Sequence, residues 1–322
     1  MNDLRLSSSE KLQSVFILLS IGFGLGISRF PQIAQHGGAA ILPALMLMLY
    51  IIFLQMPLER LGRGFANLKV AGLSLTVNFL FTPFFAFGLG YLFLRSSPDL
   101  WVGFFMLMLT PCTDWYLVFT SMAKGDVGLG ASLLPWNLFL QLALLPLYLA
   151  LLAGYVVPID VLLLGKSVVL VVVLPLGTAY STRIILTRAK SGEFFREVFL
   201  AKVGGLHFPF LLVAITGMFV SQGQAVADNP FVMANLLAPI MIFFTTIYII
   251  SQIVAKLFGF TYPEMASFTC TTIARNSPLA LAIAVTAFPD QPLIALTLVI
   301  GPLIELPVLI VITRLLLKRR KC

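Results

Sequence analysis

The sequence predicts an all-α membrane protein: ten transmembrane helices in a 5+5 inverted repeat, with broken, crossing helices 4 and 9. Three observations predict it. Of 322 residues, 59% are hydrophobic and 11% charged, with a mean hydropathy of +1.01; a soluble domain has about 25% charged residues and cannot hide so much apolar surface. The basic residues sort onto alternate connections between apolar runs. The chain also matches itself at a fixed offset.

The elements follow in order. The polar stretch MNDLRLSSSEKLQ leads into VFILLSIGFGLGI. No small-residue cleavage site follows that run, so it reads as a short first helix rather than a leader. A span needs about 20 apolar residues. Ten such runs lie at roughly 12–28, 39–58, 70–94, 99–122, 128–154, 161–182, 199–221, 231–255, 265–288 and 292–316. The connections are short, and most contain Gly, Pro or a charge. No linker separates soluble domains, so residues 1–322 form a single transmembrane domain. Its halves cover about 12–154 and 161–316.

Charge tests the layout. With both termini inside, the inner segments hold 17 of the 21 basic residues; Arg29, Arg95 and Lys166 lie outside, and Arg275 falls within span nine. Cytoplasmic loops collect Lys and Arg, so the net charge of +8 reports topology rather than a nucleic-acid partner. The expected location is the plasma (inner) membrane, with both termini cytoplasmic. The basic C-terminal KRRKC tail reads as a topology anchor.

Internal similarity comes next. Ala123 meets Ala287, Asp126 meets Asp290 and Leu129 meets Leu293, an offset of 164 residues. Ala131, Leu134, Leu142 and Leu145 also meet identical residues, and Gln141 falls on Glu305. Halves of five spans each face opposite ways, an architecture common in transporters. At the same offset TPCTD (110–114) falls on ARNSP (274–278). Each segment puts a proline, small polar residues and one charge at the middle of its span. Both helices should break there and meet. Irregular backbone survives at that depth only inside protein or beside a water-filled cavity.

Three charges lie deep in spans: Asp114, Arg275 and Glu305. Each costs at least about 2.5–3.5 kcal/mol there unless paired. Asp114 and Arg275 sit in the two breaks and are expected to form an ion pair, which either pins the crossing or opens on substrate binding. Glu305 then lacks a cation, and a buried carboxyl of that kind tends to hold a proton. It is the candidate proton-coupling residue, the alternative being a static acid bonded to a neighbour such as Asn137. Cys112 is the one thiol at a break, either an inert small hydrophobe or a soft ligand. The candidate substrate-binding set is Cys112, Thr113, Asp114, Arg275, Asn276 and Ser277, with Asn78, Thr110 and Asn137 as supporting cavity groups. GFGLG (22–26) fits close helix packing, not a dinucleotide fingerprint. His207 reads as a packed histidine and Lys124-Gly125-Asp126 as a turn. Trp115 and Tyr116 are expected to pack beside the break. With two histidines and few cysteines, no metal cluster is expected, and no cofactor. Only one deep aspartate argues against an intramembrane aspartyl protease, so the chain is not expected to be an enzyme.

These residues carry a resemblance. PCT at 111–113 followed by AKGD, ARNSPLALAIAV (274–285) and IGPLIELPV (300–308) resemble the superfamily of bile acid/sodium symporters and arsenite efflux permeases, over nearly the whole chain. They look closest to the arsenical-resistance permeases, which pair a span-four cysteine with a late glutamate; these map to Cys112 and Glu305. The resemblance implies ten spans, a panel domain beside a core domain, and export of arsenite or a related oxyanion against protons, with the Cys112 thiolate as ligand. The sodium-coupled branch builds its ion site around the span-nine break. Here TTIARNS (271–277) puts Thr where an acid is expected and Arg275 near an amide position, which argues against sodium. The alternative reading is an ion-coupled importer of a small organic anion, with Arg275 binding its carboxylate.

Overall fold

A computed structural model describes residues 8–56, 67–113, 115–154, 160–228 and 234–320. They are almost wholly helical, and the β pairing among them is one isolated antiparallel bridge, Pro111 with Arg275. In chain order the helices are α1 (Ser8–Ile27), α2 (Pro31–Gln55), α3 (Leu68–Phe93), α4 (Pro98–Leu109), α5 (Trp115–Met122), α6 (Val127–Ala153), α7 (Leu162–Ala189), α8 (Phe194–Ser221), α9 (Leu237–Leu257), α10 (Tyr262–Ile273), α11 (Ser277–Ala287) and α12 (Pro292–Arg320). Seven of these are long and apolar enough to cross a membrane: α2, α3, α6, α7, α8, α9 and α12. The runs expected at 99–122 and 265–288 are each divided into two shorter helices, α4 with α5 and α10 with α11.

Local chemistry sets the helix starts. The Asn67 side chain accepts from the N–H groups of Lys69 and Val70 to open α3. Asp126 accepts from Leu129 at 2.9 Å to open α6, and Thr261 with Glu264 forms a capping box on α10. Lys124 takes φ +57° in the expected turn, whose Gly125 N–H bonds Thr120 O at 2.8 Å.

Prolines inside the long helices free carbonyls, because a proline has no N–H for residue i−4. In apolar surroundings each needs a new donor. Pro83 frees Phe79 O, and the Tyr148 hydroxyl donates to it; the turn before it, Val77–Phe81, widens to a π-helix. Pro302 frees Leu298 O, and the Ser277 hydroxyl donates to that.

The chain divides into two compact units. One comprises Met1–Met56, Leu162–Pro230 and Leu281–Pro292. In it α1 packs on α8, and α2 on α7 and α8. Gly24 allows the first contact: an added Cβ would sit 2.6 Å from Phe219 Cβ, so one glycine of the GFGLG run does serve close packing. His207 in the same unit lies with Nδ1 2.6 Å from Gly204 O, as a packed histidine. The other unit comprises Pro57–Val161, Phe231–Ala280 and Leu293–Cys322. There α10 packs against α3, α5, α6 and α9. Its core holds Phe104, Phe105, Tyr116, Phe243, Phe244 and Phe268, all fully buried. The outer surface keeps Leu19, Phe23, Leu92 and Leu162 exposed, as suits contact with hydrocarbon.

Candidate functional site

All site residues expected from the sequence lie in the second unit. Helix α4 ends at Leu109, and α5 begins at Trp115. The pair α10 and α11 is interrupted in the same way between Ile273 and Ser277. The interruptions bond to each other through the main chain: Cys112 N–H donates to Ala274 O at 2.9 Å, and Asn276 N–H to Thr110 O at 2.6 Å. The backbone groups released by breaking two helices thereby satisfy one another, which buried backbone requires.

Arg275 lies at the centre, 2% exposed. Its Nε donates to Ile273 O at 3.1 Å, Nη1 to Met108 O at 2.9 Å, and Nη2 to Thr272 O and to Asn78 Oδ1. Three of these acceptors are last-turn carbonyls of α4 and α10. Both helices end here, so their orphan carbonyls and negative dipole ends converge, and one guanidinium answers both. The Phe243 ring lies 5.1 Å beneath it, a cation–π contact in a dry setting.

Glu305, on α12, is 5% exposed. Its Oε1 accepts the main-chain N–H of Arg275 at 2.7 Å. Sequence reasoning gave Glu305 no cation and named Asn137 as a neighbour. The structure bonds Asn137 to Asn78 instead: Asn78 Nδ2 donates to Asn137 Oδ1 and to Thr271 O, each at 3.4 Å. Asn78 therefore links α3, α6 and α10 to the arginine.

Around the junction, Asn276 Nδ2 donates to Thr113 Oγ1 at 2.9 Å, and Asn276 Oδ1 caps α11 by accepting from Leu279 N–H. Thr110 Oγ1 donates to Met106 O and Leu107 O. Cys112 is 3% exposed. Helix α12 comes close to both breaks because residue 301 is glycine: a Cβ there would lie 2.8 Å from Leu107 and 3.3 Å from Ser277 Oγ. Tyr116 packs beside the break, fully buried, its hydroxyl on Gly130 O at 2.6 Å. Asp114 lies outside the described residues, and so does the expected Asp114–Arg275 pair. The structure thus brings together Thr110, Cys112, Thr113, Arg275, Asn276, Ser277, Glu305, Asn78 and Asn137. Sequence reasoning missed three of the guanidinium's four acceptors, which are backbone oxygens, and the Phe243 ring. No group of three or more His, Cys, Asp or Glu with metal-binding spacing occurs among the described residues. A separate apolar groove of about 480 Å³ runs between α9 and α12, lined by Met241, Phe244, Pro307 and Val311 among others. None of the site side chains lines it.

Residues 42–229 match the sequence model of the sodium bile acid symporter family, more than half of the chain. The chain belongs to the sodium bile acid symporter family. Among curated proteins similar to this chain, the arsenical-resistance protein Acr3 of Corynebacterium glutamicum is 28% identical over 95% of this chain and 88% of its own length. Acr3 of Alkaliphilus metalliredigens is 24% identical over 93% and 88%. An uncharacterized transporter of Synechocystis, slr0944, is 25% identical over 95% and 88%. The family and the slr0944 relative are described as transporters rather than enzymes, and with its seven long apolar helices this chain is an integral membrane protein of that family. The family match ends before α10, so Arg275 and Glu305 lie beyond the matched segment.

Proposed function

We propose that this chain is a secondary active transporter that exports arsenite or a related oxyanion in exchange for protons, by alternating access around the junction of the two interruptions. The observation that carries the reading is that junction: a main-chain crossing with the Cys112 thiol on one strand and the carboxylate of Glu305 bound to the other. The Acr3 relatives are named for arsenical resistance, which supports an arsenical substrate, and a soft thiolate suits trivalent arsenic. In this reading the ten-span, 5+5 inverted arrangement holds, helices 4 and 9 being α4–α5 and α10–α11. One domain spans the chain, the termini face the cytoplasm, and the location is the plasma membrane.

Glu305 supplies the coupling. As a carboxylate it accepts Arg275 N–H as a charge-assisted bond, worth about 1.5–3 kcal/mol, against about 0.5–1.5 for a neutral acceptor. Protonation weakens it by about 1 kcal/mol, enough to shift a two-state equilibrium roughly fivefold. A proton at Glu305 thus loosens the junction, and its release tightens it. Arg275 supports protons over sodium. Its charge already sits among the oxygen atoms of Met108, Thr272, Ile273 and Asn78, a set otherwise suited to a hard cation. The same bonds occupy four of its donors, which weighs against the alternative reading of Arg275 as the carboxylate clamp of an organic-anion importer.

The test is arsenite flux in everted vesicles or proteoliposomes under imposed proton or sodium gradients. Flux driven by the proton gradient alone is the expected result. Flux that needs sodium, or that moves small carboxylates and not arsenite, removes the reading.

A further inference from the structure

Gln141 on α6 is 1% exposed, and neither its Nε2 nor its Oε1 has a partner. A buried amide with both ends unmade is rare. Other buried polar groups of this unit repeat the pattern. One turn before it, Asn137 Nδ2 is unpartnered, and so is Thr82 Oγ1, one turn beyond Asn78 on α3. The Asn78–Asn137 bond joins those two helices.

The internal repeat explains the orphan. Gln141 falls on Glu305 at the offset of 164 residues. Glu305 accepts the N–H of Arg275. The counterpart of Arg275 at that offset is Pro111, which has no N–H to give. The first half thus keeps an inward amide at the position of an acceptor and lacks its donor. Pro111 immediately precedes Cys112.

We infer that Gln141 is a substrate-binding residue, its amide giving and taking hydrogen bonds with the hydroxyl groups of a small uncharged solute held beside the helix-four interruption. An amide offers both donors and an acceptor, which matches a neutral hydroxyl-bearing molecule better than an anion. Among the described residues the one buried guanidinium in this unit, that of Arg275, is already spent on carbonyls. The inference rests on the transport reading above and deepens it, because arsenite at neutral pH is mostly the undissociated trihydroxy acid.

The test uses the full chain as Gln141→Leu and, keeping the unbranched shape, Gln141→Met. Melting is followed in detergent with and without arsenite, and arsenite flux in everted vesicles. Both variants should melt at or above the wild-type temperature, since they remove two unmade polar atoms. They should lose the arsenite-induced shift in melting and show a tenfold or greater rise in apparent KM, with maximal rate less affected. Melting well below wild type would mark the amide as a structural group and overturn the inference. An unchanged KM would overturn it too. A wild type that moves no arsenite fells the transport reading and this inference together, whereas wild-type flux with unaffected variants fells this inference alone.

Discussion

Glu305 accepts the main-chain N–H of Arg275 at 2.7 Å, while the guanidinium of Arg275 donates to carbonyls of two helix ends. One residue therefore holds an acid with its backbone and closes two broken helices with its side chain. Any change at either residue is felt at the junction.

Glu305→Gln keeps an oxygen that can accept that N–H and removes the proton site. Proton-driven arsenite flux should fall tenfold or more in vesicles, with melting nearly unchanged. Full proton-driven flux in this variant would falsify the coupling role.

Arg275→Ala removes the cation and leaves the carbonyls of Met108, Thr272 and Ile273 buried without a donor. Breaking a buried charged network costs about 3–5 kcal/mol, so the variant should melt far lower. Added guanidinium or sodium ions, compared with choline, should partly restore its melting temperature and leave wild type unmoved. Arg275→Lys should not rescue it, since an ammonium lacks the planar fork that reaches these acceptors.

Cys112→Ser preserves the main-chain bond to Ala274 O, which belongs to the backbone. The fold should survive with melting close to wild type, while arsenite flux disappears because a hydroxyl is a poor soft ligand. Retained flux in the serine variant rules out the thiol as a ligand.

Asn276→Ala deletes a cap on α11 and the bond to Thr113 Oγ1. A lost cap costs about 1 kcal/mol and a lost hydrogen bond about as much again. Asn276→Asp keeps the cap and loses only the donor. Melting should rank wild type, Asp, Ala; equal melting of all three would show that neither bond holds the junction.

The two interruptions were legible in the sequence. Proline, threonine and arginine amid apolar runs cannot face lipid, so TPCTD and ARNSP had to be interior breaks, and the breaks are where the sequence put them. The expected partner Asp114 lies outside the described residues, and of the described partners of Arg275 only Asn78 was legible as a cavity group. Sequence reasoning looked for an acid, because side-chain charge is visible in letters. Three of the four described acceptors are backbone oxygens, and every residue has one. Which of them converge depends on where two helices stop, to within a residue. Asn137 shows the same limit: as a polar residue on an apolar helix it was marked as a cavity group, yet nothing local chose Asn78 over Glu305 as its neighbour.

The sequence by itself determined the membrane class, the family and the places where the helices must fail, because the bilayer's penalty for polar groups acts on composition residue by residue. Only the tertiary structure decided that Arg275 would serve two carbonyl termini at once and that Glu305 would hold its backbone. The bonds to Glu305 and to Met108 join residues 30 and 167 positions apart, and hydrogen bonds at that range are set by packing rather than by periodicity.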